Sequence, residues 1–145
     1  MRTVLMAGCA GLAGVLALAA IARAQQPAPA SQWAGIYSEA QARRGQPLYA
    51  DNCAACHGAD LEGTISAPAL QAPMMAARGG RSMAELFEYV QVFMPLTSPG
   101  GLSRAQNADI LAYVFSKAGY PAGKTELPVA PDALGRIRIV AGAKP

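Results

Sequence analysis

Reactive side chains are scarce in this 145-residue sequence, which has one histidine, three cysteines, one tryptophan and only 14% charged residues. A single histidine excludes clusters of imidazole ligands and any site that needs two of them. The formal net charge is only +3, and no Lys/Arg run is present. That excludes a nucleic-acid-binding face, which needs a concentrated basic patch. Disorder is excluded as well, because 52% of the residues are hydrophobic and few are charged. Sustained alternation of apolar and polar residues is also missing, so strands are expected to be absent or minor.

What is present falls into two unlike parts. Met1-Arg2-Thr3 is a short basic start, and Val4 to Ala22 is an uncharged run of 19 residues. Ala22-Arg23-Ala24 then places small residues at the two positions that a signal peptidase reads. This is the pattern of a secretory signal peptide, cleaved after Ala24. An uncleaved anchor is the alternative, since such a run is nearly long enough to span a bilayer. Met6-Ala7-Gly8-Cys9 is a poor lipobox because most of the apolar run follows it, so Cys9 is expected to leave with the signal. Export points to the periplasm. The remaining 121 residues carry ten Lys/Arg and nine Asp/Glu, and 24 of them are alanine. Only 32 of the 121 are Val, Ile, Leu, Met, Phe, Trp or Tyr. A small domain with so few large apolar side chains usually leans on disulfides, a metal or a cofactor.

The histidine and the two remaining cysteines stand together as Cys53-Ala54-Ala55-Cys56-His57. In a helical turn, positions i, i+3 and i+4 share a face, so all three can address one planar group. C-x-x-C-H is the signature of covalent c-type haem attachment, with two thioether bonds at the haem edge and the imidazole on the iron. A thioredoxin-like pair belongs in a βαβ context, which is not seen around this motif. Structural zinc needs four ligands, and no other Cys or His remains. A plain Cys53–Cys56 disulfide suits an oxidising compartment but leaves the histidine unexplained.

With one histidine, a second axial ligand must be Met74, Met75, Met83 or Met94, or be absent. Ser82 and Glu85 form a capping box. Behind it Met83, Leu86, Phe87 and Val90 make an apolar helical stripe, so Met83 reads as core. Met94 precedes Pro95, which pushes it out of the helix into extended backbone and into the loop that follows. Met94 is therefore the expected iron ligand. A last helix is capped by Ser103 with Gln106, carries Ile110, Leu111, Tyr113, Val114 and Phe115, and ends near Gly119. The first helix is expected from Ser38, with Gln41 as box partner, toward Asn52. Pro47 is expected to kink it or to mark a restart near Gln46.

Gly45 and Tyr49, eight and four residues before Cys53, together with Ile110-Leu111-Ala112-Tyr113-Val114, resemble the crossing helices of class I cytochromes c. The resemblance implies an all-α, cytochrome c-like fold: three main helices and loops wrapped around one covalently bound haem c. It implies that Gly45 lets the two helices approach, with Tyr49 and Tyr113 at the crossing. Ala67-Pro68-Ala69-Leu70 is similar to the family segment whose proline carbonyl accepts a hydrogen bond from the ligating histidine. On that resemblance Pro68 orients His57, and Leu70 packs on the haem edge. Trp33-Ala34-Gly35-Ile36-Tyr37-Ser38, Asp60-Leu61-Glu62-Gly63 and Tyr120-Pro121-Ala122-Gly123 resemble a bacterial subgroup of periplasmic monohaem cytochromes that accompany quinoprotein and other dehydrogenases. That subgroup commonly carries an aromatic where this chain has Ala76-Ala77-Arg78-Gly79-Gly80-Arg81. Arg78 and Arg81 are then either solvated loop charges or partners of a haem propionate.

The expected organisation is a signal peptide at 1–24, an N-terminal extension at 25–37, a cytochrome domain at 38–123 and a C-terminal extension at 124–145. Arg136-Ile137-Arg138-Ile139-Val140 alternates, so the tail is expected to be extended, with a short edge strand or a wrapping segment. The expected function is one-electron transfer through a His57/Met94-ligated haem, not enzymatic catalysis. The carrier is expected to be a monomer with redox-protein partners: a dehydrogenase as donor and an oxidase or another cytochrome as acceptor. No nucleic acid is expected, and no membrane unless the signal stays uncleaved. The alternatives are a cytochrome subunit held in a dehydrogenase complex, and an open-site haem enzyme or gas sensor. Because haem would be the largest hydrophobic body in the chain, the haem-free mature protein is expected to be largely unfolded or molten. Near-UV circular dichroism and denaturant titration check this, and a cooperative unfolding transition of the haem-free chain would contradict it.

Overall fold

The structure, a computed structural model, describes residues 30–72 and 77–141. The signal segment with Cys9, the candidate ligands Met74 and Met75, and the last four residues lie outside the described residues. The elements in chain order are β1 (Ala30–Ser31), α1 (Glu39–Asn52), α2 (Ala54–His57), α3 (Met83–Phe93), α4 (Arg104–Lys117), α5 (Pro131–Gly135) and β2 (Ile137–Arg138). Among the described residues the architecture is all-α, with a two-residue parallel pairing of Ala30 with Ile137 and Ser31 with Arg138, and isolated bridges at Ser38 with Gly123 and Ser82 with Arg138. Among the described residues no helix is long and apolar enough to cross a membrane.

α1 is capped by Ser38, whose hydroxyl accepts the Gln41 N–H at 3.1 Å. The Gln41 side chain does not complete a capping box. It turns into the core, donating to the Leu127 carbonyl at 3.2 Å and accepting the Leu127 N–H at 2.7 Å. A buried partner satisfies that amide fully, whereas the box would leave it at the surface. Pro47 also departs from expectation, because it lies inside an unbroken helix. Its missing N–H orphans the Arg43 carbonyl, and both residues are exposed, so water can take the place of the lost bond.

α4 crosses α1 at Gly45. A Cβ on Gly45 would lie 1.9 Å from the Asp109 carbonyl oxygen, so backbone lies directly on backbone. Beside the crossing the rings of Tyr49 and Tyr113 sit 5.3 Å apart. Both capping boxes expected for α3 and α4 form, at Ser82 with Glu85 and at Ser103 with Gln106. α4 ends in a Schellman turn: the Gly119 N–H donates to the Ser116 carbonyl at 3.1 Å, and the Tyr120 N–H to the Phe115 carbonyl at 3.0 Å. Gly119 holds the required positive φ of 84°.

The tail is the extended segment expected of it only in part: its alternating stretch gives the short strand β2, but the residues before it do not stay extended. Residues 131–135 form α5, and Leu127, Leu134, Ile137 and Ile139 are buried. They join Ile36, Tyr37, Met83, Leu86, Phe87, Leu111, Phe115 and Tyr120 in one apolar cluster. Gln32, from the other end of the chain, clamps the tail by two bonds to the Val140 backbone, at 2.8 and 3.0 Å. A smaller cluster of Tyr49, Leu61, Ile110 and Val114, with Cys53, Leu70 and Leu102 against it, forms a separate core beside the C-x-x-C-H segment. The crossing at Gly45 sets the position of that second core. Gly45→Ala is expected to destabilise the folded protein by about 1–3 kcal/mol through overpacking, read as a lower denaturant midpoint at unchanged slope.

Candidate haem-binding site

Cys53 closes α1 and opens α2. Its N–H donates to the Tyr49 carbonyl at 2.8 Å, and its carbonyl accepts the N–H groups of Cys56 at 3.1 Å and His57 at 2.9 Å. The C-x-x-C-H segment is thus a single helical turn hung from the end of α1. Cys53 and Cys56 are free thiols, and both, like His57, are half-buried. Burial, and then the neighbouring Cys56, push the Cys53 thiol up to about 11.

The segment after His57 folds back over the turn. The Gly63 N–H donates to the His57 carbonyl at 2.7 Å, the Thr64 hydroxyl to the Cys56 carbonyl at 2.6 Å, and the Leu70 N–H to the Leu61 carbonyl at 2.9 Å. The Tyr49 hydroxyl donates to the Gly58 carbonyl at 2.8 Å, and its burial raises the phenol well above its ordinary range. Leu61, fully buried, anchors this loop at a positive φ of 61°, which a leucine rarely adopts. The fold-back brings the Pro68 carbonyl to 2.8 Å from His57 Nδ1. With the proton on Nδ1 donated to that carbonyl, Nε2 is left with its lone pair, the form in which imidazole binds a metal.

The structure thus brings Cys53, Cys56, His57, Pro68 and Leu70 together. Leu70 packs in the cluster that contains Cys53. Met94 stands on another wall. It is the C-cap of α3, extended at φ −115° and ψ 149° and half-buried, and its N–H donates to the Val90 carbonyl at 3.0 Å. Its link to the cysteine side runs through Leu102, at the far end of its loop, which packs in the same cluster as Cys53 and Leu70. Met83, fully buried in the larger core, is placed as filler. Arg78 lies over the Tyr89 ring at 5.4 Å, and Arg81 approaches Glu85 at 3.9 Å on the surface. Sequence reasoning missed Thr64, whose hydroxyl ties the fold-back to Cys56 and which has no motif around it. It also missed the anchoring role of Leu61, although the Asp60-Leu61-Glu62-Gly63 string had marked the place.

Two free thiols on one helical turn, an imidazole oriented by a carbonyl and an apolar cluster beside them fit a covalently held haem. One protein comparison agrees in kind. The family model for cytochrome c matches residues 42–117, just over half of the chain. A search among curated proteins matches none. Among solved structures, the sulfane dehydrogenase SoxCD from Paracoccus pantotrophus is similar over 68% of this chain, at 24% identity and a TM-score of 0.48. The alignment spans 52% of that chain, about half its length. The double substitution Cys53→Ser with Cys56→Ser is expected to abolish covalent haem attachment. Acid–acetone extraction followed by a pyridine haemochrome assay checks it, and haem retained on the extracted protein would contradict it.

Proposed function

Because the chain belongs to the cytochrome c family, whose members carry haem c bound covalently, we propose that it is a class I carrier of single electrons. In this reading Cys53 and Cys56 hold the haem, and His57 and Met94 ligate its iron. The observation that carries the reading is the 2.8 Å contact between His57 Nδ1 and the Pro68 carbonyl, which orients the ring and frees Nε2. When bound, the haem supplies a one-electron iron couple whose potential a Met/His ligand pair raises.

The chain's own residues set the conditions for that couple. Pro68 holds the imidazole at one orientation and increases its basicity. Leu61, Leu70, Ile110 and Val114 supply an apolar wall that keeps water from the cysteine side. Met94, extended beyond α3 and joined to a proline, offers a thioether with little freedom to wander. Among the described residues no group of three His, Cys, Asp or Glu can hold another metal. In this reading the chain is an electron carrier and not an enzyme.

The proposal extends to setting and partners. The signal-like start at 1–24 supports export to the periplasm, with 25–37 and 124–145 flanking a cytochrome domain at 38–123. Weak, transient docking of redox proteins suits a carrier. A dehydrogenase donor, and an oxidase or another cytochrome as acceptor, fit the subgroup resemblance. Met94→Ala is expected to abolish the weak long-wavelength charge-transfer band of the ferric protein and to lower the reduction potential sharply. If band and potential were both unchanged in that variant, the ligand assignment would be wrong. Rapid carbon monoxide binding by the reduced wild-type protein, with no such band, would favour an open-site haem protein.

A further inference from the structure

Met94 and His57 belong to different parts of the fold. His57 hangs from α1, which is locked to α4 at Gly45, whereas Met94 sits at the end of α3. If Met94 and His57 both ligate the iron, as proposed above, the two ligands would be held on opposite sides of the joint between α3 and α4. That joint contains a partly buried polar chain that ends on the buried Asn107. Gln91, in the last turn of α3 and three residues before Met94, donates from Nε2 to the Leu102 carbonyl at 2.9 Å. Its Oε1 accepts from Asn107 Nδ2, on α4, at 3.0 Å.

The orientation of both amides follows from chemistry. The Leu102 carbonyl can only accept, so Gln91 must turn its NH₂ toward it. Its oxygen then faces Asn107, which must answer with its own NH₂. Asn107 is 1% exposed, and its Oδ1 is buried without a hydrogen-bond partner. An orphaned buried acceptor is costly, and the neighbouring α4 positions Ala108, Ile110 and Leu111 are apolar. A polar residue at this point is explained by its one hydrogen bond, the bond to Gln91.

We infer that Gln91 and Asn107 are positioning residues that clasp the Met94 loop and fix Met94 against the His57 side of the fold. Gln91 closes the loop, since its partner Leu102 lies 11 residues ahead in sequence. Leu102 in turn packs in the cluster of Cys53 and Leu70. Asn107 ties the last turn of α3 to α4. Together they restrict fraying at the residue preceding Pro95 and hold the depth at which Met94 projects. The exposed Arg104–Glu88 ion pair, at 2.7 Å, also bridges α3 and α4. A surface pair of this kind contributes little. The inference rests on the reading of Met94 as iron ligand.

The test uses holoprotein carrying Gln91→Leu, Asn107→Leu or both, substitutions that roughly keep side-chain volume. Covalent haem content and far-UV circular dichroism are expected to match wild type. Loss of the clasp is expected to raise the Met-dissociated fraction about tenfold, the size of effect that one lost buried hydrogen bond produces. Two readouts follow: the ferric charge-transfer band vanishes about one pH unit lower on alkaline titration, and the reduced protein binds carbon monoxide about tenfold faster. The double variant should behave like Gln91→Leu, because losing Gln91 already breaks both bonds of the chain. Glu88→Gln should leave both readouts at wild type. Gln91→Glu keeps an acceptor for Asn107 but sets a carboxylate oxygen against the Leu102 carbonyl, so it should shift them in the same direction, which covers a failure of the leucine variants to fold. Wild-type titration and carbon monoxide rates in Gln91→Leu and Asn107→Leu, with the band lost in Met94→Ala, would overturn the clasp alone. A band that survives in Met94→Ala would overturn the ligand reading and the clasp's role with it.

Discussion

The contact on which the rest of the site depends is backbone against backbone where α1 crosses α4. At Gly45 the two chains approach so closely that a single methyl group would collide with the Asp109 carbonyl. Core interiors do not deform freely, so this contact fixes the angle and depth of α1, and therefore the place where α1 ends. It ends at Cys53. The helical turn that follows inherits that position, and so do Cys56 and His57. Arg44, next to Gly45, forks onto Asp109 and Glu126, reinforcing the same crossing from the solvent side.

A second constraint brings the imidazole into a usable state. Residues 58–70 could lie anywhere on the surface were they not tied to the turn by the bonds of Gly63, Thr64 and Leu70, and by the buried Leu61. The ties cost backbone strain at Leu61, whose φ is positive without a glycine. In return the Pro68 carbonyl reaches His57 Nδ1. Such strain persists only where the surroundings over-determine it, and Leu61 is surrounded by Tyr49, Ile110 and Val114. The crossing and the fold-back therefore share one small core, and neither is independent of the other.

How much of this was legible depended on the range of the interaction. C-x-x-C-H was legible because covalent attachment demands fixed residue types at fixed spacing. The caps at Ser82 and Ser103 were legible because donor and acceptor lie three residues apart. Pro95 placed Met94 in extended backbone through a clash between neighbours. Gln41 misled because its true partner, Leu127, lies 86 residues away and offers burial that a local box does not. The tail misled for the same reason. Leu127 and Leu134 belong to no repeating pattern, yet both find a place against residues far back in the chain. The alternation at 136–140 marked the short strand at 137–138, but its partner at 30–31 and the clamp from Gln32 lie more than 100 residues away and leave no local sign.

The thin supply of large apolar side chains takes on a more specific meaning beside this geometry. The larger cluster is assembled from the two chain extensions together with α3 and α4, and it does not include the cysteine turn. The cluster at Cys53 is small, and four fully buried side chains form its centre. Shortage of hydrophobic material therefore falls on the side of the molecule that carries the haem motif, not evenly over the chain. An apolar macrocycle held by Cys53 and Cys56 adds its surface where the protein's own is least. The extensions, in turn, supply α3 with a firm backing through Leu134, Ile137 and Ile139, so that Met94 projects from a helix already anchored on its far face. The described residues outside the matched 42–117 segment are in this sense part of the site's support.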